Sequence, residues 1–346
     1  MSETPTVASQ AAPPPEPEAQ PPGEQRSRGG ALAYLISHQS GVVILSALVI
    51  ALLIGAVLIR LQGVNPWAAY EILVREALFA PGGFTRTLQK TAPLVLTGLA
   101  VVLPLRVGLF NIGGQGQLIF GAIVGAQLAY AAGGLGFLGA VIGMAGGIAA
   151  GASVGFIAGV LKATRGVHEV ITTIMLNYIV AGVTWWLVTG PLQAESSKTS
   201  GIPQTERIPE AAQVGSIAGI PIGFLIAVVF AVLCWWMLSR TTLGFRFNTV
   251  GSNKSAAGYA GISIKQIVTL SMVFGGGLAG LAGALEAGGT LHRFEPAIGG
   301  TLGFDGITIA LLARANPLAT LPAAFLVGIL RTGAPGLQFA TGIAPE

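Results

Sequence analysis

Arg240-Thr-Thr-Leu-Gly-Phe-Arg246-Phe-Asn-Thr-Val-Gly-Ser-Asn253-Lys254-Ser-Ala-Ala-Gly-Tyr259-Ala-Gly-Ile262-Ser-Ile-Lys265 separates two apolar runs. The stretch is basic, carries no catalytic group, and is read as holding a small-residue helix over Asn253 to Ala260. A basic interruption of this kind reads as a cytoplasmic loop of a membrane protein. It looks like a handle on which another component acts.

Composition agrees. Of 346 residues, 52% are hydrophobic and 9% charged, and mean hydropathy is +0.74. Soluble domains run about 25% charged, so most of this chain is read as facing lipid. Its 51 glycines suit membrane helices that approach closely through small side chains. The net charge is +4, but the basic residues sit at the ends of apolar runs. That pattern speaks for membrane topology and against a nucleic-acid partner, which needs a clustered basic face. Cys234 lies inside an apolar run and reads as an inert buried thiol. His38, His168 and His292 lack ligand spacing, so no metal site and no cofactor are expected.

Residues 1–30, rich in Pro, Glu, Gln and Ala, are read as a disordered tail. Arg26 and Arg28 precede a first span at Gly41 to Ile59, which puts the tail in the cytoplasm by the positive-inside rule. Further apolar runs lie near 91–105, 117–132, 137–160, 170–189, 220–238, 266–288 and 317–334. The runs at 91–105 and 117–132 are short for a core that needs about 20 helical residues. Alternation puts the 240–265 loop inside and the polar loop 191–219 outside. Arg60, Arg75, Arg86 and Lys90 then fall outside, against the rule. Pro66–Leu78 has the spacing of a helix lying in the outer interface, with Trp67 and Tyr70 at headgroup depth. The expected fold is an all-α polytopic membrane protein. Residues 31–346 would form one domain, a bundle of roughly eight to nine transmembrane or half-spanning helices.

Phe110-Asn111-Ile-Gly-Gly-Gln115-Gly-Gln117 gathers amides and glycines between the two short runs. Non-helical backbone at membrane depth must be buried in protein or line a cavity. The amides therefore suit either a path for a polar, uncharged solute or a packing corner where they bond to neighbouring backbone. Glu169, Thr172, Thr173 and Asn177 share one side of a helix. Glu169 at its start is read as a dipole-favoured terminal acid rather than part of a proton relay, which would need deeper ionisable partners. Glu286 and Asp305 each read as a solute contact or as a solvated boundary residue, with the boundary favoured for Glu286. The ladder Gly276–Ala279–Gly280–Gly283 reads as a close-packing face. The Gly-rich stretches lack the Lys-Ser or Lys-Thr of a phosphate-binding loop, and no nucleophile–base pair is evident. The chain is not read as an enzyme.

Three stretches in order, Phe110–Gln117, Glu169–Asn177 and Val250–Ile262, make the chain resemble the permease subunits of ABC importers. The branch is the ribose/branched-chain amino-acid type, and within it the nucleoside and simple-sugar permeases. The likeness runs from about residue 41 to the end. It implies a cytoplasmic coupling helix at Ser252–Ile262 that docks on the ATP-binding subunit, with Ser252, Asn253, Lys254, Ala257, Gly258, Tyr259 and Gly261 at the contact. It implies a broken, pore-lining region at Asn111–Gln117. The expected solute path holds Phe110, Asn111, Gln115 and Gln117, with Asn177 as a second contact. Implied partners are ABC ATPase subunits, a second permease (a paralogue or an identical copy), an external solute-binding lipoprotein and membrane lipid, in the cell membrane. Two departures stand out. Gly114-Gln115 replaces a pair where many relatives carry an acid before Gly-Gln, and the chain stops at Ile343–Glu346, where relatives continue into a last span.

The expected solute is a nucleoside, with a simple sugar or branched-chain amino acid as the alternative. The rival of another class, an ion-coupled secondary transporter, would bury coupling carboxylates or histidines in mid-span.

Overall fold

The computed structural model describes residue 46 and residues 49–342. The tail 1–30, Arg26, Arg28, His38, the start of the run at Gly41 and the stop at Ile343–Glu346 lie outside the described residues. The chain divides into two compact units at Pro66. Of the first, the apolar helix Val49–Leu61 (α1) is described.

The second unit begins at Trp67, within α2, Pro66–Val74, which runs on as a π-helical turn over Arg75–Phe79. Trp67 on α2 is 79% exposed, while Ala69 and Ala77 are buried. The following helices are α3 (Gly83–Arg106), α4 (Gly114–Ala131), α5 (Phe137–Arg165) and α6 (Glu169–Thr189). After the short α7 (Glu195–Ser200) come α8 (Ile222–Arg240), α9 (Thr242–Ser252), α10 (Lys254–Tyr259), α11 (Ile264–Glu286), α12 (Leu302–Leu312) and α13 (Thr320–Thr341).

Among the described residues six helices are long and apolar enough to cross a membrane: α3, α5, α6, α8, α11 with its π-helical extension to Leu291, and α13. α4 has 18 residues, its apolar character diluted by Gln115 and Gln117, and α12 has 11. This is a multi-pass membrane protein, all-α as its apolar runs foretold. One reading needs correction: the run at 91–105 is not short. The polar start from Gly83 is already helical, giving α3 24 residues and placing Arg86 and Lys90 on the helix rather than in a loop.

α3 and α11 form the centre, with 83% and 78% of their apolar windows buried, against 28% for both α6 and α8. The outer helices therefore carry apolar side chains on the outside of the bundle. α11 packs most extensively on α5, then on α4 and α3, while α12, α13 and α8 cover α3. The α5–α11 contact is glycine on glycine. A Cβ on Gly151 would overlap the Gly276 carbonyl, and one on Gly280 the Gly147 carbonyl. Backbones touch there, as small-residue membrane interfaces allow. The ladder is a packing face, as read.

The 191–219 segment folds over the far end of α11. Thr205 N, Ile208 N and Val214 N donate to the carbonyls of Phe294, His292 and Gly288 at 3.0, 2.8 and 3.0 Å. A two-residue antiparallel pairing, Ser216–Ile217 with Ile220–Pro221, closes the loop.

Candidate functional site

The break between α3 and α4 is built by amides. After Gly108, whose φ of +77° turns the chain, Asn111 is fully buried. Its Nδ2 donates to Gln117 Oε1 at 3.0 Å and to the Ala100 carbonyl at 3.3 Å. Its Oδ1 accepts from Gly113 N at 3.0 Å and from Gln117 Nε2 at 3.3 Å. Asn177, on α6, accepts from Gly116 N at 2.8 Å and donates to the Ile112 carbonyl at 3.0 Å. Gln115 Nε2 donates to the Gly300 carbonyl at 2.8 Å, and its Oε1 accepts from Gly303 N at 2.9 Å. That pair of bonds fastens the start of α4 to the start of α12.

Asn111, Gln115, Gln117 and Asn177 are thus brought together, with Phe110 half-buried beside them. Their amide groups are engaged with protein, backbone above all. Unpaired, such buried groups would cost about 1–3 kcal/mol each. Here they replace the helical hydrogen bonds that the broken segment 107–113 gives up. In this conformation the cluster is the packing corner among the two readings.

Glu169 stands in the first turn of α6, the place of a dipole-favoured acid. It pairs with Lys162 of α5 at 2.7 Å, so a charge pair joins α5 and α6 across their turn. Thr172 and Thr173 bond to backbone within their own helix.

The 240–265 stretch holds the helix read over Asn253 to Ala260, as α10 between its cap residues Asn253 and Ala260, and a second helix, α9, before it. Thr241 caps α9, accepting from Gly244 N at 3.2 Å, and Asn253 caps α10, accepting from Ala256 N at 3.0 Å. Gly251 is pressed against Arg106 at the end of α3, where a Cβ would overlap the Arg106 carbonyl. Ser252, Asn253, Lys254, Gly258 and Gly261 are exposed, and Tyr259 is 96% exposed. Ala257, expected at the same contact, is fully buried in this chain's own core. A Cβ at Gly258 would meet nothing within 4 Å.

A third feature lies toward the end of α11 opposite α10. A partly open cavity of about 230 Å³ is lined by Lys90 of α3, Glu286 of α11, Arg331 of α13 and the Gly299–Gly300 turn before α12. Arg331 Nη2 is bonded to Asp305 of α12 and, at 2.6 Å, to Thr301 Oγ1. Glu286, the last residue of α11, thus shares a cavity with two basic side chains. The sequence reading missed Arg331 altogether. The signal was a lone charge in the middle of the last apolar run, since ionisable residues at membrane depth are rare and functional.

Comparison with known proteins agrees with this architecture. A family described as "Branched-chain amino acid transport system / permease component" matches residues 83–344. The chain is 34% identical over 309 residues to the guanosine ABC transporter permease protein NupP of Bacillus subtilis (strain 168), covering 88% of each chain. It is 37% identical over 324 residues to the nucleoside ABC transporter permease protein NupB of Lactococcus lactis subsp. cremoris (strain MG1363), covering 88% of this chain and 86% of that one. It is also 34% identical over 313 residues to the glucose ABC transporter permease protein TsgB13 of Haloferax volcanii, covering 85% and 80%.

Proposed function

The chain belongs to the branched-chain amino acid transport system / permease component family, and from that premise we propose that it passes nucleosides inward as the membrane subunit of an ATP-driven importer. The observation that carries the solute is the identity of 34–37%, over 88% of this chain, to permeases named for guanosine and for nucleosides. The glucose permease at 34% supports a second reading, a simple sugar.

In this account the chain has no nucleotide site of its own, and ABC ATPase subunits supply the energy. They dock on α10, on the cytoplasmic side, where exposed Tyr259 offers the kind of large aromatic anchor that dominates interfaces. Around it Ser252, Asn253, Lys254, Gly258 and Gly261 form the rest of the contact. A second permease and an external solute-binding lipoprotein complete the machine, the latter on the face formed by the 191–219 segment. Because α9 presses on the end of α3 through Gly251 and Arg106, a pull on α10 reaches the central helix directly. The amides of Asn111, Gln115, Gln117 and Asn177 hold the broken segment that shapes the solute path, with Phe110 at its edge.

Reconstitution tests the reading. The complete transporter in proteoliposomes is expected to accumulate labelled guanosine or uridine only when ATP is supplied, with excess glucose failing to compete. Uptake blocked by glucose and not by nucleosides would select the sugar reading instead.

A further inference from the structure

A polar solute needs protein groups that are free to meet it, and the amide corner has none to spare. We propose that Lys90, Glu286 and Arg331 form the solute-contact site, and that it reads adjacent hydroxyls on a neutral, polyhydroxylated solute, the ribose in the case of a nucleoside. The proposal rests on the importer reading and adds the place and chemistry of recognition.

Unused hydrogen-bonding capacity is the first argument. Glu286 receives one long bond, from Thr290 Oγ1 at 3.4 Å, although a carboxylate has about four acceptor sites. Lys90 has no hydrogen-bond or ion-pair partner among the described residues, and Arg331 engages only Nη2 of its three nitrogens. All three side chains line one cavity. A carboxylate can accept from two neighbouring hydroxyls at once, while ammonium and guanidinium groups donate to the remaining oxygens.

Charge balance is the second. Lys90 and Arg331 are offset by Glu286 and Asp305, so the site is neutral as a whole. An ion entering it would bring an uncompensated charge to membrane depth, which is costly. A neutral solute brings none.

Position is the third. Glu286 ends α11 about 33 Å from that helix's start at Ile264, and Arg331 lies about 16 Å along α13, at a rise of 1.5 Å per residue. The cavity therefore runs from mid-membrane depth to the far face. Its floor, Gly299–Gly300, is held by Gln115 through the Gly300 carbonyl at 2.8 Å. Thr301 and Asp305, next to that anchor, aim Arg331. The volume of about 230 Å³ is just under the 300–1,000 Å³ usual for small-molecule pockets, which suits a sugar with the base lying beyond it.

The test uses the complete transporter in proteoliposomes, with ribonucleosides and their 2′,3′-dideoxy analogues as paired substrates. The unmodified complex should prefer the ribonucleoside. Glu286→Gln should shrink that preference about tenfold, the loss expected for one hydrogen bond to a charged group. A preference ratio unchanged in Glu286→Gln, at whatever absolute rate, overturns the proposal. If that variant does not assemble, Lys90→Gln is measured, and its ratio must shift as well or the proposal falls. If the unmodified complex carries glucose and no nucleoside, the nucleoside reading fails separately. The ratio of glucose to 2-deoxyglucose then decides the site in the same way.

Discussion

Leucine in place of Asn111 would leave the Gln117 amide and Gly113 N without partners inside a fully buried corner. The expected loss is about 1–3 kcal/mol for each group left unpaired. It should appear as a lower unfolding temperature of the purified permease and as an equal fall in uptake of every substrate. A loss confined to some substrates, at unchanged stability, would instead make Asn111 a solute contact. The sequence singled out Asn111, Gln115, Gln117 and Asn177 by composition, but a side-chain amide reads the same whether its partner is solute or backbone. Only the partners distinguish the two, and they come from residues as distant as Ala100, Gly300 and Gly303. The pairing of Arg331 with Asp305 was illegible for a related reason: the two charges lie on different helices, so no local pattern joined them.

The helices were largely legible, because apolar runs of membrane length have few alternatives once water is excluded. Misread extents came from polar helical turns: Gly83–Lys90 continues α3, and Thr242–Ser252 forms α9 within the basic stretch. α12 was visible only as a short apolar run after a glycine-rich break. What sequence could not say is which glycines meet. Gly280 faces the Gly147 carbonyl, so Gly280→Val should push α11 from α5 at about 1–3 kcal/mol for overpacking. Thermal unfolding of the purified permease should fall, whereas Gly182→Val, on a position with open space around it, should not lower it comparably. Equal stability of the two variants would mean that the α5–α11 contact is looser than described.

Across the whole molecule, two exposed features stand at opposite ends of central helices. The α10 corner touches the end of α3 through Gly251, and the charged cavity opens between α3, α11 and α13. On the proposed docking, force applied at the first would reach the second through α3. That arrangement depends on α10 being where the ATPases grip. Gly258→Trp tests it most directly, because this chain leaves the position open and the variant should fold and insert normally. The measurement is co-purification of the ATPase subunits with the variant permease, read together with ATP-dependent nucleoside uptake. Both should drop sharply while permease levels in the membrane hold. A Gly258→Trp permease that retains its ATPases and transports at the normal rate would contradict it.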